Sequence, residues 1–136
     1  MQTSFTDQQL ENKDNKSSES ILRKCVHCGM CNATCPTYAI NGNELEGPRG
    51  RIYLIKDMLE NKKPANKKIA QHIDSCLSCY GCMTTCPSGV NYMHLIDHGR
   101  NHVEETYKRP LLDRLFRNIL SYTLPKPNVF LVLVLF

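Results

Sequence analysis

The residues of this chain best equipped for chemistry are eight cysteines, and they fall in two blocks. The first reads Cys25-Val-His-Cys28-Gly-Met-Cys31-Asn-Ala-Thr-Cys35-Pro36. The second reads Cys76-Leu-Ser-Cys79-Tyr-Gly-Cys82-Met-Thr-Thr-Cys86-Pro87. Both follow C-x2-C-x2-C-x3-C-P, a run that wraps three corners of a [4Fe–4S] cube with its first three thiolates and sends the fourth to a neighbouring cube. This logic groups Cys25, Cys28, Cys31 and Cys86 as the ligands of one cluster. It groups Cys76, Cys79, Cys82 and Cys35 as those of the other. Two cubes tied together in this way lie close, as electron transfer requires.

Zinc and disulfides are the competing uses of so many cysteines. A four-cysteine zinc site pairs two C-x2-C units into a closed tetrahedron, and a third cysteine followed by x3-C-P has no place in that design. Disulfides need an oxidising compartment. The opening Met1-Gln-Thr-Ser-Phe-Thr-Asp-Gln8 has neither the basic and apolar regions of a secretion signal nor twin arginines. The expectation is therefore reduced thiols in the cytoplasm. No nucleophile–base set, Gly-rich phosphate loop or flavin fingerprint accompanies the cysteines, so the chain has no visible catalytic residues or substrate site of its own.

The 136 residues suit one small domain, and with no Trp and 7% aromatics the apolar core is modest. Bound metal is a usual reinforcement for such domains. Lys and Arg number 17 against 13 Asp and Glu, a net charge of +4 without a basic stripe interleaved with aromatics, so nucleic acid is not an expected partner. No stretch approaches the ~20 apolar residues of a membrane span. Val129 to Phe136 is wholly apolar, however, and must pack, dock or belong to a longer chain.

The blocks are an internal repeat: each cysteine of the first has its counterpart 51 positions later. Around them the elements needed to hold the ligands are mainly helical. Residues 1–16 are polar and read as a mobile arm. Ser17 to Ser20 could cap a short helix running into Cys25. Ile52, Ile55, Met58 and Leu59 recur at helical spacing, predicting a helix from about Arg51 to Glu60. A short helix follows over about Asn66–Ser75. Another spans about Val90 to Tyr107 with Leu95, Ile96, Gly99 and Val103 inward. Pro110 opens a last one, with a stripe of Leu111, Leu112, Leu115, Phe116, Ile119 and Leu120, and Pro125 and Pro127 stop it. The expected fold class is mainly α, α+β at most: an α-helical ferredoxin-like domain built around two [4Fe–4S] clusters. Its cluster-binding unit is 17–108, and residues 109–136 form an amphipathic helix and apolar tail, the start of a further C-terminal region.

Other residues invite functional readings. Gly29 and Gly81 lie inside the blocks, where a side chain would crowd a cluster and a peptide N–H can approach its sulfides. Arg49 and Arg51, flanking Gly50, either neutralise cluster charge, meet an acidic partner or sit in a solvated loop. His94, His98 and His102 share one helix face, either as ligands of a metal or haem or as a solvated or partner-facing surface. His27 lies in the first block away from the ligand positions.

The two cysteine blocks, Gly47-Pro-Arg-Gly-Arg-Ile-Tyr-Leu-Ile-Lys56 and the ending Cys86-Pro-Ser-Gly-Val-Asn-Tyr92 together resemble the iron–sulfur subunit of glycolate oxidase (glycolate dehydrogenase), from about Ser20 to Pro127. The resemblance implies a subunit of an oxidoreductase complex that uses neither oxygen nor NAD. Flavin-bearing partner subunits, which carry the FAD, oxidise glycolate to glyoxylate. This subunit relays the electrons towards a quinone-linked acceptor at the inner face of the cell membrane. All eight cysteines match the cluster ligands of that family. The family continues beyond this point with Cys-Cys-Gly-type repeats that are absent here. Lactate, glycerol 3-phosphate and heterodisulfide oxidoreductases use similar modules, and a free-standing ferredoxin is a further alternative.

Overall fold

The structure, a computed structural model, describes residues 1–127 and 129–130. Among these residues it is helical without a strand. The helices are α1 (Asp7–Leu10), α2 (Lys13–Lys24), α3 (Pro36–Asn41), α4 (Pro48–Glu60), α5 (Lys67–Asp74), α6 (Gly81–Thr84), α7 (Tyr92–Thr106) and α8 (Leu111–Thr123). Two 3-10 segments lie at Met30–Thr34 and Glu44–Glu46.

The long helices begin where short polar side chains or proline can end the chain of unpaired N–H groups. Asn12 caps α2, Asn66 caps α5 and Asn91 caps α7, each side chain accepting from a backbone N–H of the first turn. Pro36 and Pro48 open α3 and α4, where a missing N–H costs nothing. The central helix therefore starts three residues earlier than the apolar periodicity indicates, because Pro48-Arg49-Gly50 is polar yet helical.

The core lies among α2, α4, α5 and α7. Leu22, Ile55, Met58, Ile73, Leu95, Ile96 and Val103 are fully buried there, at about 1.5–3 kcal/mol for each large aliphatic side chain. Gly99 lets α7 lie close on α4, since a Cβ there would fall 2.7 Å from Ile55 Cγ1. The inward set Leu95, Ile96, Gly99 and Val103 is as expected.

Residues 1–16 are not the free arm that their composition suggests. Gln9 is buried and its side-chain amide donates to the Leu59 and Glu60 carbonyls at 2.9 and 3.0 Å, capping the end of α4. The Met1 ammonium donates to the carbonyls of Leu22, Arg23 and Cys25 at the end of α2. Helix ends carry unpaired carbonyls, so a polar segment can be fixed by hydrogen bonds without an apolar pattern. α2 accordingly begins at Lys13, ahead of the serines expected to cap it.

α8 is held by charge. The Arg109 guanidinium, almost buried, pairs with Asp74 at 2.6 Å and Glu104 at 2.6 Å, and Arg117 reaches Asp74 at 3.0 Å. Its apolar stripe faces outward: Leu111, Leu112, Leu115, Phe116, Ile119 and Leu120 are all exposed. Of the apolar tail only Val129 and Phe130 lie within the described residues.

Candidate iron–sulfur centres

The two cysteine blocks fold alike, and their backbone explains how one short segment presents three thiols. His27 and Gly29 in the first block, and Ser78 and Tyr80 in the second, have φ of 59°, 85°, 53° and 56°. These are repeat-equivalent positions, flanking Cys28 and Cys79. Left-handed residues alternating with right-handed ones turn successive peptide N–H groups to one side, making the anion-binding concavities found in iron–sulfur sites. Backbone hydrogen bonds repeat as well: Cys25 N–H to Leu22 O and Cys76 N–H to Ile73 O, then Cys35 N–H to Asn32 O and Cys86 N–H to Met83 O.

This geometry revises the reading of the two glycines. Gly29 takes a positive φ, and a Cβ there would displace the end of the Arg49 side chain, whose Nη1 stands 2.6 Å away. Gly81 opens α6 and is not its counterpart. A Cβ at Gly81 would meet only Thr34 O at 3.8 Å, an ordinary contact, and the residue equivalent to Gly29 is Tyr80.

The repeats meet where Thr85 Oγ1 donates to Thr34 Oγ1 at 3.3 Å. These two threonines are themselves equivalent, each standing one residue before the fourth cysteine of its block. A cavity partly open to solvent is lined by Cys25, Cys28, Cys31 and Cys86. A second is lined by Cys35, Cys76, Cys79 and Cys82. Pro48, Cys82 and Tyr92 border both and separate them. All eight cysteines are free thiols.

The donor set fits cubane clusters better than single ions. Among the described residues no three His, Cys, Asp or Glu side chains converge tightly enough to hold one metal ion. Four thiols instead line each cavity, the first walled also by Pro48, Ile52 and Val90. Burial, and the charge of neighbouring cysteines, push the Cys31 thiol up and the Cys82 thiol up to about 12. These thiols therefore stay protonated until a metal centre displaces the proton, as cluster assembly does.

Cys35 is the exception. Burial also opposes its ionisation, but bonds from Thr37 Oγ1, the Tyr38 N–H and the Arg51 guanidinium outweigh it and hold the thiol below its usual range. Among the described residues Arg51 is the largest fully buried side chain. Its Nη1 donates to Cys35 Sγ at 3.9 Å, its Nε to the His72 carbonyl at 2.6 Å, and its Nη2 reaches Glu46 Oε2, Thr37 Oγ1 and Ser75 Oγ at 2.9–3.1 Å. Glu46, also buried, takes further hydrogen bonds from Ser75 Oγ and, at 2.5 Å, His72 Nδ1. Of the readings open for the two arginines, charge compensation beside the cysteines describes Arg51. Arg49 lines the first cavity, pairs with Glu44 at 2.6 Å and stays a third exposed.

The sequence reading missed Tyr92, whose buried hydroxyl donates to Cys76 Sγ at 3.6 Å. Burial, first, and the adjacent Cys76 push its own ionisation well above the normal range, so it remains a donor. Its position six residues after Cys86 carried no signal of this. Arg100 was missed too: it donates to the Cys76 carbonyl and Ser78 Oγ at 2.6 Å, bracing the second block. His27 lines the first cavity, with Nε2 3.3 Å from the Arg49 carbonyl. The three histidines of α7 do not act together. His98 Nδ1 bonds Ser18 Oγ at 2.7 Å, His102 Nε2 bonds the Lys63 carbonyl at 2.8 Å, and the buried Nε2 of His94 has no partner.

Comparison with known proteins agrees with this geometry. The 4Fe-4S dicluster domain family matches residues 21–90. The chain belongs to that family. Its cofactors are two [4Fe–4S] clusters, for which the eight cysteines are fitting ligands. The chain is 52% identical over 130 residues to the glycolate oxidase iron-sulfur subunit of Escherichia coli, covering 96% of this chain and 32% of that protein. It is 34% identical over 103 residues to the probable glycolate oxidase iron-sulfur subunit of Bacillus subtilis, covering 75% and 23%. The succinate dehydrogenase iron-sulfur subunit of Paracoccus denitrificans is 28% identical over 76 residues. The chain thus spans a third or less of these relatives' lengths. No solved structure matches significantly. Among the described residues no helix is long and apolar enough to cross a membrane.

Proposed function

We propose that this chain is the two-cluster relay of a glycolate-oxidising flavoenzyme. Flavin-bearing partner subunits convert glycolate to glyoxylate, and the electrons pass one at a time through the two clusters to a quinone-linked acceptor at the inner face of the cell membrane. The observation that carries the substrate is the 52% identity, over nearly the whole chain, to a glycolate oxidase iron-sulfur subunit. Cys25, Cys28, Cys31 and Cys86 hold the first cluster, and Cys76, Cys79, Cys82 and Cys35 the second. Support for this crossed pairing comes from Cys35 lining the cavity of the second block while Cys86 lines that of the first. Residues 17–108 are the cluster-binding unit, and the exposed apolar stripe of α8 in 109–136 suits a protein surface.

The roles of the chain's own residues follow. The cysteine thiolates anchor the cubes, whose iron and sulfide supply the reversible one-electron chemistry. Pro48, Ile52, Val90 and Tyr92 keep water from their buried sides. Cys28 and Cys79, both exposed, mark the edges at which donor and acceptor can approach.

The test is low-temperature EPR of the anaerobically purified complex with either glycolate or dithionite as reductant. Glycolate should raise the reduced-cluster signal to the level that dithionite gives. A signal with dithionite and none with glycolate, in a complex retaining its flavin, refutes the substrate assignment and leaves the clusters standing.

A further inference from the structure

The two cavities are equivalent in sequence pattern but not in what points at their sulfurs. In the second, Arg51 Nη1 donates to Cys35 Sγ and the Tyr92 hydroxyl donates to Cys76 Sγ; Thr37 Oγ1 lies 3.2 Å from the Cys35 sulfur, its one proton shared between that sulfur and the Glu46 carbonyl at 2.7 Å, and the same carbonyl lies 3.7 Å from Cys35 Sγ. In the first, among the described residues, no side chain donates to a cysteine sulfur. The one polar side-chain contact there is Cys31 Sγ against Asn32 Oδ1 at 4.0 Å, with the sulfur on the donor side. The nearby cations differ similarly. Both arginines are paired, but Arg51 and its partner Glu46 are buried, whereas Arg49 is a third exposed and paired with the exposed Glu44; the Met1 ammonium, part-buried, lies on the Cys25 carbonyl.

Reduction adds one negative charge to a cluster, and that charge is shared with the ligand sulfurs. Donors and positive charge aimed at those sulfurs stabilise the reduced form and raise the potential. They act more strongly where solvent does not screen them. We propose that Arg51, Thr37 and Tyr92 make the second site the higher-potential one, so that electrons run from the Cys25–Cys28–Cys31–Cys86 site to the Cys76–Cys79–Cys82–Cys35 site. One electron leaves the reduced first site and enters the oxidised second, with no proton required. Its source is the reduced flavin of the partner subunits. The inference rests on the crossed ligation proposed above. It goes further by giving the relay a direction and naming the side chains that set it. Arg51, Thr37 and Tyr92 are positioning and tuning residues, not ligands.

The experiment is an EPR-monitored potentiometric titration of the complex with dithionite, with iron content measured for each variant. Cys28→Ser and Cys79→Ser, at exposed cysteines lining one cavity each, identify which signal belongs to which site. In the unmodified protein the second-site signal should be reduced first. Tyr92→Phe and Thr37→Val remove a hydroxyl with little change of shape. Each should lower the second-site potential, keep the iron content and leave the first site alone. Arg51→Met should shift electron partition between the sites by about tenfold or more, 59 mV for one electron, and Arg51→Lys should recover most of it. The inference is overturned if the first site is reduced first, or if both potentials move together. It is equally overturned if Tyr92→Phe and Thr37→Val keep their iron and both potentials stay put. Should Arg51→Met lose iron, those two variants still decide the matter. Failure of the ligation scheme would look different: Cys35→Ser would abolish the first-site signal.

Discussion

Gly50 is the position at which one added carbon should do most damage. It lies in the first turn of α4, and a Cβ there would stand 2.1 Å from the Glu44 carbonyl oxygen, 2.7 Å from its carbon and 2.8 Å from Leu45 Cα. All three atoms are backbone, so no side chain can swing away. In an unobstructed helix Gly→Ala gains up to about 1 kcal/mol. Overpacking that must move backbone costs about 1–3 kcal/mol and sometimes more. The clash is severe enough for the upper end to apply, so Gly50→Ala should lose about 2 kcal/mol net. For a domain of this size that lowers Tm by roughly 5–10 °C. The loss should also be local. The segment pushed away is Glu44–Glu46, which carries the carboxylate holding Arg51 and the carbonyl against Cys35. Anaerobic thermal melts followed by the cluster absorbance, with iron content before heating, measure both effects. Gly42→Ala is the control. It has a φ of +62° but nothing within 4 Å, so only backbone strain of about 1 kcal/mol is expected. If Gly50→Ala melts with the wild type and keeps its full iron, the packing of α4 against the Glu44–Glu46 turn is not as described.

Four further outcomes test the structure elsewhere. Cys35→Ser should perturb the spectrum of the second-block cluster and Cys86→Ser that of the first, and uncrossed effects in EPR would refute the pairing. Glu46→Ala leaves the Arg51 charge buried and unpaired, at a cost of about 3–5 kcal/mol, while Glu46→Ala combined with Arg51→Met should be milder. Burial opposes ionisation of Glu46, but bonds from Ser75 and His72 and the Arg51 charge hold its pKa below the ordinary 4.5. A depressed folded pKa means this stabilisation is complete above about pH 4.5 and is lost as pH falls through the folded value. Below that pH the melting temperature of the wild type should fall faster than that of Glu46→Gln, and parallel curves would refute the linkage. Gln9→Leu removes the cap on the Leu59 and Glu60 carbonyls and should cost about 1–3 kcal/mol in denaturant unfolding, whereas a free N-terminal arm would make it neutral.

The ligand chemistry was legible in the chain because it is local. Two-residue spacers between cysteines constrain a few backbone dihedrals, and the repeat of C-x2-C-x2-C-x3-C-P states twice that four thiols serve each centre. The helices of the core were legible for a related reason: Ile52, Ile55, Met58 and Leu59, or Leu95, Ile96 and Val103, mark one face through a 3.6-residue period. Residues 1–16 were misread because hydrophobic pattern cannot reveal order achieved by hydrogen bonds to distant helix ends, such as those Gln9 makes to α4. Spacing in sequence does not give φ either. Left-handed geometry belongs to His27, Gly29, Ser78 and Tyr80, three of which are not glycine.

What the sequence by itself determined is the kind of cofactor, the helical class and the internal repeat, each written within short windows of the chain. What only the tertiary structure decided is the environment of each centre. The Arg51 side chain reaches Glu46 in one segment and the His72 carbonyl and Ser75 in another, and Tyr92 meets Cys76 across 16 residues. Two blocks with one cysteine pattern thus acquire different surroundings, because potential and charge compensation depend on which groups the packed helices bring to the sulfurs, and that is a long-range property.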